Sequence, residues 1–435
     1  MVSKNLLTNA ASYSDVSLSF IDEDGYPFSI PVKVEIDQEN GSVNITKLGA
    51  LPNIDGREIS LIFNHITPLP MGGYTERRYI VLWGKPAAVA DGYRLKPAKN
   101  YVWNEKEVPF FQYSEMKVTR ARRYMNQLNE KPWLSTPWLI MRTFRLPFII
   151  AALLPVLIGG AVAYRAGHFD WVLLALTASG AILMHLGANT ANDYYDSQLG
   201  ADDLNTTPTP FSGGSRIIQY GLLPGRSVLS LSSSTYLAGT LIGLYLAFTR
   251  GLPIVMLGLI GFLVSWGYTA PPFKLAYRGL GEVAVGLGFG PLLVLGSYYV
   301  QTQSFSIEAA LASIPLGLLV MLILYVNEIP DRTWDDEAGK RTFVARIKES
   351  AIVRGYDLTM TVVYGILLVG AATRIFPITI LLGLGTLPLA LKERRLISGN
   401  LGNPYGLMPA MSSNIKIFAY TSILMLAGYL VSFLI

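Results

Sequence analysis

The sequence predicts a multidomain chain, a small antiparallel β barrel followed by an all-α membrane bundle of nine transmembrane helices. Two observations carry this reading. Charged residues make up only 15 % of the 435 residues, against roughly 25 % in soluble globular domains, and residues 1–145 hold 33 of them while 146–435 hold 32. Before residue 145 the apolar residues fall in short alternating runs; after it they fall in long stretches. The chain has no cysteine, which excludes disulfide frameworks, thiolate nucleophiles and thiolate-bound metals. A net charge of +5 with no long basic run gives no sign of nucleic-acid binding.

In the first part, residues 16–21, 26–37, 42–48, 58–63 and 79–90 alternate or run β-rich, with Asp24-Gly25 and Asn40-Gly41 as hairpin turns. They predict a barrel closed by a helical stretch over 114–130. This head is assigned to 1–130, a linker to 131–145 and the bundle to 146–435. The first long apolar segment begins only near Leu146, so no cleaved signal peptide is expected and the head is placed in the cytoplasm. Arg120, Arg122 and Arg123 read as a solvated helix face or a contact to anionic lipid.

Apolar stretches follow at 146–164, 171–191, 228–248, 252–268, 280–300, 308–326, 356–372, 376–391 and 416–435. A helix needs about 20 residues to cross the hydrocarbon core, and backbone polar groups there must be satisfied within the segment. Nine spans result, the fourth and eighth being the shortest. The loops after the second, fourth, sixth and eighth carry 14 Lys and Arg, the opposite loops only Arg165, Arg250 and Arg374. That asymmetry places the even loops and the head inside the cell and the carboxyl terminus outside.

Nine of the fifteen acids beyond residue 145 fall in two short stretches: Asp193, Asp196, Asp202 and Asp203 after the second span, and Glu328, Asp331, Asp335, Asp336 and Glu337 after the sixth. Each stretch opens alike, Asn192-x-x-x-Asp196 and Asn327-x-x-x-Asp331-x-x-x-Asp335. Four-residue spacing sets these groups on one face of a helix end, and two matching stretches four spans apart suggest a duplicated unit facing a central cavity. Carboxylates this close repel one another unless a cation sits among them. With oxygen ligands alone, that cation reads as Mg2+, which usually takes one or two carboxylates together with substrate phosphates. The substrate is therefore expected to carry phosphate. Gly213-Gly214-Ser215-Arg216, Lys274 and Gly339-Lys340-Arg341-Thr342 supply nearby cations suited to phosphate oxygens.

Asn192-Asp-Tyr-Tyr-Asp196, Asn327-Glu-Ile-Pro-Asp331-Arg-Thr-Trp-Asp335 and Tyr268-Thr-Ala-Pro-Pro-Phe-Lys274 closely resemble the motifs of the UbiA superfamily of intramembrane prenyltransferases, a resemblance spanning about 140–435. Many members carry a third aspartate four residues after the first motif's second position, where this chain has Gly200 and then Asp202. That variant, with Phe211-Ser-Gly-Gly-Ser-Arg216 and Tyr277-Arg-Gly-Leu-Gly-Glu282, looks most like the branch that prenylates 1,4-dihydroxy-2-naphthoate for menaquinone. The resemblance implies that Mg2+ ions held by Asn192, Asp196 and Asp202 on one side, and by Asn327, Asp331 and Asp335 on the other, grip an isoprenyl diphosphate. Arg216, Lys274, Lys340 and Arg341 would then neutralise the leaving group and the Tyr268 ring would face the allylic cation. It further implies attack by a carboxyl-bearing ring carbon with loss of carbon dioxide. His185 and Asn189 share a helix face with Asn192 and read either as acceptor-side residues or as hydrogen-bonded structural ones. Asp193 is not placed by helical spacing. Tyr194 and Tyr195 read as interfacial aromatics.

In the head, Val16-Ser-Leu-Ser-Phe-Ile-Asp-Glu-Asp-Gly25-Tyr-Pro27, Phe63-Asn-His65 and Arg78-Tyr-Ile-Val-Leu-Trp-Gly84 resemble the pyridoxamine 5'-phosphate oxidase-like, flavin-binding split barrels. That resemblance implies FMN or a related flavin and a homodimer through the head; a barrel that only dimerises or stabilises the body is the alternative. For the whole chain, other acceptors stand beside the naphthoate: 4-hydroxybenzoate, homogentisate, a chlorophyllide or a glycerol phosphate ether lipid. A flavin-dependent membrane quinone reductase is the alternative of another class.

Overall fold

Alternation in the first part does produce strands, and they pair into two antiparallel sheets. The computed structural model describes residues 4–13, 15–21, 27–46, 53–68, 74–108, 113, 132–205, 209 and 211–432, divided into two units, Met1–Ser114 and Glu115–Ile435. The first unit holds α1 (Lys4–Ala10), β1 (Asp15–Ile21), β2 (Pro27–Pro31), β3 (Val34–Asp37), β4 (Ser42–Thr46), β5 (Ile59–Pro68), β6 (Tyr74–Gly84), β7 (Pro86–Val89), β8 (Gly92–Leu95) and β9 (Lys99–Asn104). Five strands run in the order β2-β1-β5-β6-β9 and four in the order β3-β4-β8-β7. Leu18 lies opposite Leu61 and Leu61 opposite Leu82, so one apolar row crosses three strands into a core shared with Leu7, Val43 and Ile45. A one-residue slip would turn that row to solvent.

Two strands expected as continuous are each divided between the sheets. The 26–37 run becomes β2, paired with β1, and β3, paired with β4; the 79–90 run becomes β6 and β7 on either side of Lys85. Pro31 and Pro86 stand at the breaks, where a residue without an N–H cannot extend a ladder. Asn40-Gly41 closes the β3–β4 hairpin, its Asn40 amide donating to the Asp37 carboxylate at 2.7 Å and its backbone N–H at 3.0 Å. The Asp24-Gly25 turn, the helix expected over 114–130 and Arg120, Arg122 and Arg123 lie outside the described residues.

The second unit is helical: α2 (Pro132–Thr143), α3 (Leu146–Arg165), α4 (Trp171–Leu199), α5 (Gly225–Arg250), α6 (Leu252–Gly267), α7 (Gly281–Thr302), α8 (Ile307–Glu328), α9 (Glu349–Ala372), α10 (Leu387–Asn400) and α11 (Met408–Val431). Among the described residues seven helices are long and apolar enough to cross a membrane. Of the nine expected spans, the fourth is α6, of 16 residues, and the eighth is a 3-10 run, Ile378–Thr386, followed by α10. Gly383 and Gly385 weaken α-helical continuity there, and Pro388 is tolerated only in the first turn of the helix it begins. The stretch expected as linker contains α2.

Without a hydrophobic drive between helices in lipid, association rests on close packing of small residues. A Cβ on Gly317 of α8 would lie 2.4 Å from the Gly286 carbonyl oxygen of α7, and one on Gly290 would lie 2.7 Å from the Gly317 Cα. The π-type turn Gly288–Leu292, around Pro291, sits in this crossing. The main core gathers α3, α7, α8, α9 and α11 around Leu316, Val326, Ile352 and Phe418, leaving a cavity among α4 to α8.

Candidate active site

Asp170 caps α4, accepting from the N–H groups of Val172 and Leu173 at 2.7 and 3.0 Å. The helix then runs to Leu199, eight residues beyond its apolar stretch, so Asn192 and Asp196 sit on its last two turns. The Asn192 amide donates to Asp196 Oδ2 at 3.0 Å, as the four-residue spacing requires. Gly200, at φ 77°, ends the helix in the left-handed region and turns the chain into the four-residue helix Ala201–Leu204. That turn delivers Asp202, 5 % exposed, to the cavity. From the other side, α8 ends at Glu328 and the chain folds at Asp331 into the short helix Arg332–Glu337, which carries Asp335.

Both acid stretches line one cavity of about 680 Å³. Lys340 stands between them, its Nζ 3.4 Å from Asp196 Oδ2 and 3.7 Å from Asp335 Oδ1. Tyr277 donates its hydroxyl proton to Asp196 Oδ1 at 2.8 Å, and the Asn205 amide donates to Asp331 Oδ1 at 3.0 Å. Burial raises the Asp331 carboxyl, and the neighbouring Asp335 raises it further. Asp202 is raised well above its ordinary value by burial and then by Asp196 and Asp193. Burial alone would lower Lys340, yet Asp196 and Asp335 hold it well above its ordinary value. One ammonium does not balance this many acids.

A divalent cation fits this polar end. Asp335 Oδ2, Asn327 Oδ1 and Glu328 Oε2 are buried acceptor oxygens with no hydrogen-bond donor, each on a residue at most 9 % exposed. The donor set is carboxylate and amide oxygen, the preference of Mg2+. Among the described residues no three acid or histidine side chains form a closed metal cage. A cation here would complete its shell with water and substrate phosphate.

The expected site residues separate into two groups. Asn192, Asp196, Asp202, Asn327, Asp331, Asp335, Lys340, Tyr268, His185 and Asn189 all line the cavity. Arg216, Lys274 and Arg341 do not: Arg216 donates to the Asp202 carbonyl, the Lys274 ammonium lies 6.0 Å from the Tyr277 ring centre, and Arg341 is exposed. Arg216 and Lys274 sit at positive φ, 60° and 47°, in turns whose direction sequence spacing does not reveal. His185 is 9 % exposed, with Nδ1 unpartnered and its ring edge-on to Phe289 at 4.7 Å. Asn189 donates to the Phe144 carbonyl at 3.2 Å.

Arg145 and Asn205 are contributors outside the quoted motifs, and Tyr277 opens one of those motifs without having been assigned a role there. Arg145 lines the cavity and pairs with Asp193, while the Ser215 N–H also donates to Asp193 at 3.2 Å. Asp193 is thus turned to Arg145, which settles its direction. A cation immediately before the first apolar stretch was the available signal for Arg145.

A helical membrane unit whose two acid stretches share one largely apolar cavity points to an intramembrane enzyme. Residues 152–414 match the UbiA prenyltransferase family, and the chain belongs to that family and is a prenyltransferase. It is 26 % identical over 324 residues to the 1,4-dihydroxy-2-naphthoate octaprenyltransferase of Bacillus subtilis (strain 168), covering 71 % of this chain and 99 % of that one. It is 29 % identical over 291 residues to the 2-carboxy-1,4-naphthoquinone phytyltransferase of Synechocystis sp., covering 65 % and 90 %. A UbiA homolog from Aeropyrum pernix K1, solved in its apo state, shares the fold with a TM-score of 0.50 at 16 % identity, over 67 % of this chain and 98 % of that one.

Proposed function

We propose that the chain transfers a polyprenyl group from an isoprenyl diphosphate to 1,4-dihydroxy-2-naphthoate, a step of menaquinone synthesis. The observation that carries this reading is the pair of acid stretches facing one largely apolar cavity across Lys340; the naphthoate is supported by the names of the relatives. Asn192, Asp196 and Asp202 would hold one Mg2+, and Asn327, Asp331 and Asp335 another. Bound there, the metal supplies positive charge against the diphosphate oxygens.

The chain's own residues do the rest. Lys340 lies where negative charge builds on the diphosphate as the allylic C–O bond breaks and its electron pair leaves with oxygen, the place where a fixed charge counts most. The apolar wall keeps water from the allylic carbon, and the Tyr268 ring offers a π face to it. The carboxyl-bearing carbon of the naphthoate gives its electron pair to form the new C–C bond. Loss of carbon dioxide returns a pair to the ring, so no further base is required. His185, which lines the cavity and has an unpartnered Nδ1, orients the acceptor. The transfer as drawn uses only residues of the second unit and requires neither FMN in the head nor a dimer through it.

Incubating membranes with Mg2+, labelled geranylgeranyl diphosphate and each candidate acceptor should give the prenylated naphthalenediol, identified by mass. Asp196→Ala and Asp331→Ala should each abolish it, whereas a quinone reductase activity would survive both changes. Product with 4-hydroxybenzoate or homogentisate alone would reassign the acceptor, and product with none would overturn the reading.

We propose further that the site faces the cytoplasm. The natural chain has no cysteine, so single cysteines report cleanly. A cysteine at Arg374 should react with an impermeant maleimide on intact cells, and one at Lys348 only after lysis. The opposite pattern reverses the orientation.

A further inference from the structure

Tyr277 stands outside the cavity lining, on a single 3-10 turn, Ala276–Arg278. The chain fastens that turn to the end of α6: the N–H groups of Leu275 and Ala276 donate to the Gly267 and Tyr268 carbonyls at 3.0 and 2.9 Å. The same turn is tied to the segment that follows the second acid stretch. The Arg341 N–H donates to the Tyr277 carbonyl at 3.3 Å, and the Phe343 N–H donates to Glu282 Oε1 at 2.9 Å. Gly279, at φ 71°, lets the two segments approach, since a Cβ there would lie 3.0 Å from the Arg341 carbonyl oxygen. Backbone contacts on two sides thus fix Tyr277 before its side chain makes any.

The two oxygens of Asp196 are held by different kinds of donor. Oδ2 meets the Asn192 amide at 3.0 Å and the Lys340 ammonium at 3.4 Å, both from residues that line the cavity. Oδ1 accepts the Tyr277 hydroxyl proton at 2.8 Å, from a residue that does not line it. A hydroxyl is a neutral donor, so it fixes the direction of the carboxylate and leaves the charge for a cation in the cavity. The Lys340 ammonium lies 5.8 Å and the Lys274 ammonium 6.0 Å from the Tyr277 ring centre, within the range at which a ring attracts a cation. One side chain therefore meets both the first acid stretch and the lysine that separates it from the second.

We propose that Tyr277 is a positioning residue for the metal site: from outside the cavity lining its hydroxyl holds Asp196 Oδ1, so that Oδ2 is the oxygen presented to the cation and the diphosphate. This rests on the reading of Asp196 as a Mg2+ ligand in prenyl transfer and deepens it. A group that hydrogen-bonds a liganding carboxylate orients it, and its loss typically costs about 10–100-fold in metal affinity.

The test titrates Mn2+, which favours the same oxygen ligands as Mg2+, into the full chain in detergent, with and without inorganic diphosphate, and reads free Mn2+ by electron paramagnetic resonance. Tyr277→Phe keeps the ring and removes only the hydroxyl. It should weaken Mn2+ binding roughly 10–100-fold at an unchanged thermal midpoint, and raise the Mg2+ concentration for half-maximal turnover in parallel. Asp196→Asn should weaken binding as well, and the double variant should lose no more than Asp196→Asn alone, because residues that act through one contact are not additive. Tyr325→Phe is the control: its hydroxyl donates to the Ile352 carbonyl at 2.8 Å, away from the cavity lining, and binding should stay at the wild-type level. Unchanged or tighter Mn2+ binding in Tyr277→Phe would overturn the proposal. So would additive losses in the double variant, or a wild-type protein that takes up no Mn2+ with diphosphate present. If the wild type binds Mn2+ and geranyl diphosphate and forms no prenylated product, the transfer reading fails by itself, while the Mn2+ affinities still decide the role of Tyr277.

Discussion

Replacing Lys340 by methionine is expected to lower kcat for prenyl transfer by roughly 10²–10³-fold, the loss typical when one preorganised charge or donor is removed from a site where negative charge develops. Among the residues lining the cavity, Lys340 and Arg145 are the two permanent cations, and Arg145 is paired with Asp193. Lys340 touches both acid stretches and is 16 % exposed at its side chain, so its charge is little screened. Methionine keeps most of the length and apolar stem, which separates charge from packing. Lys340→Arg should recover part of the activity, because the charge returns on a larger, planar head. The measurement is kcat at saturating donor and Mg2+ beside the thermal midpoint. A methionine variant with wild-type kcat would reduce Lys340 to a counter-ion that holds the acids together between turnovers.

Gly317→Val is expected to be the most damaging change in the apolar body. The new Cβ would stand 2.4 Å from the Gly286 carbonyl oxygen and 3.2 Å from the Gly290 Cα. Both are backbone atoms that cannot rotate away, so α7 and α8 must separate. Overpacking typically costs about 1–3 kcal/mol and occasionally more, and here it also shifts α8, whose end carries Asn327 and Glu328. Thermal stability in detergent and turnover with every donor, short or long, should fall together. Wild-type melting in Gly317→Val would mean that the α7–α8 crossing yields without cost.

Much of the site was legible because the spacing of its acids is itself a geometric statement. Asn192 and Asp196 had to share a face once they were helical, and they do. Hydropathy was a poorer guide to the helix that carries them: the apolar stretch stops at 191 while the backbone hydrogen bonds continue to Leu199, because polar residues propagate a helix that lipid has already nucleated. Charge type alone misplaced emphasis among the cations. Arg216, Lys274 and Lys340 look alike in sequence, yet only Lys340 reaches the cavity, since the turns at Arg216 and Lys274 take positive φ and send their side chains elsewhere. Asp193 could not be oriented until Arg145 was seen beside it, 48 residues away in the chain. The strands followed the same rule: alternation located them, and the prolines at 31 and 86 marked the change of sheet. The glycines that bring α7 and α8 together are identical to any other glycine on a hydropathy scale.

Gly200 carries one more consequence. Because it breaks the ladder of α4, Asp202 is mounted on a separate short helix and is aimed independently of the rotation of the helix that bears Asn192 and Asp196. The protein spells its ligand triad, one amide and two carboxylates, with a hinge before the last member. A pattern search demanding an aspartate four residues after Asp196 would pass over this chain, although the Asp202 carboxylate arrives in the same cavity.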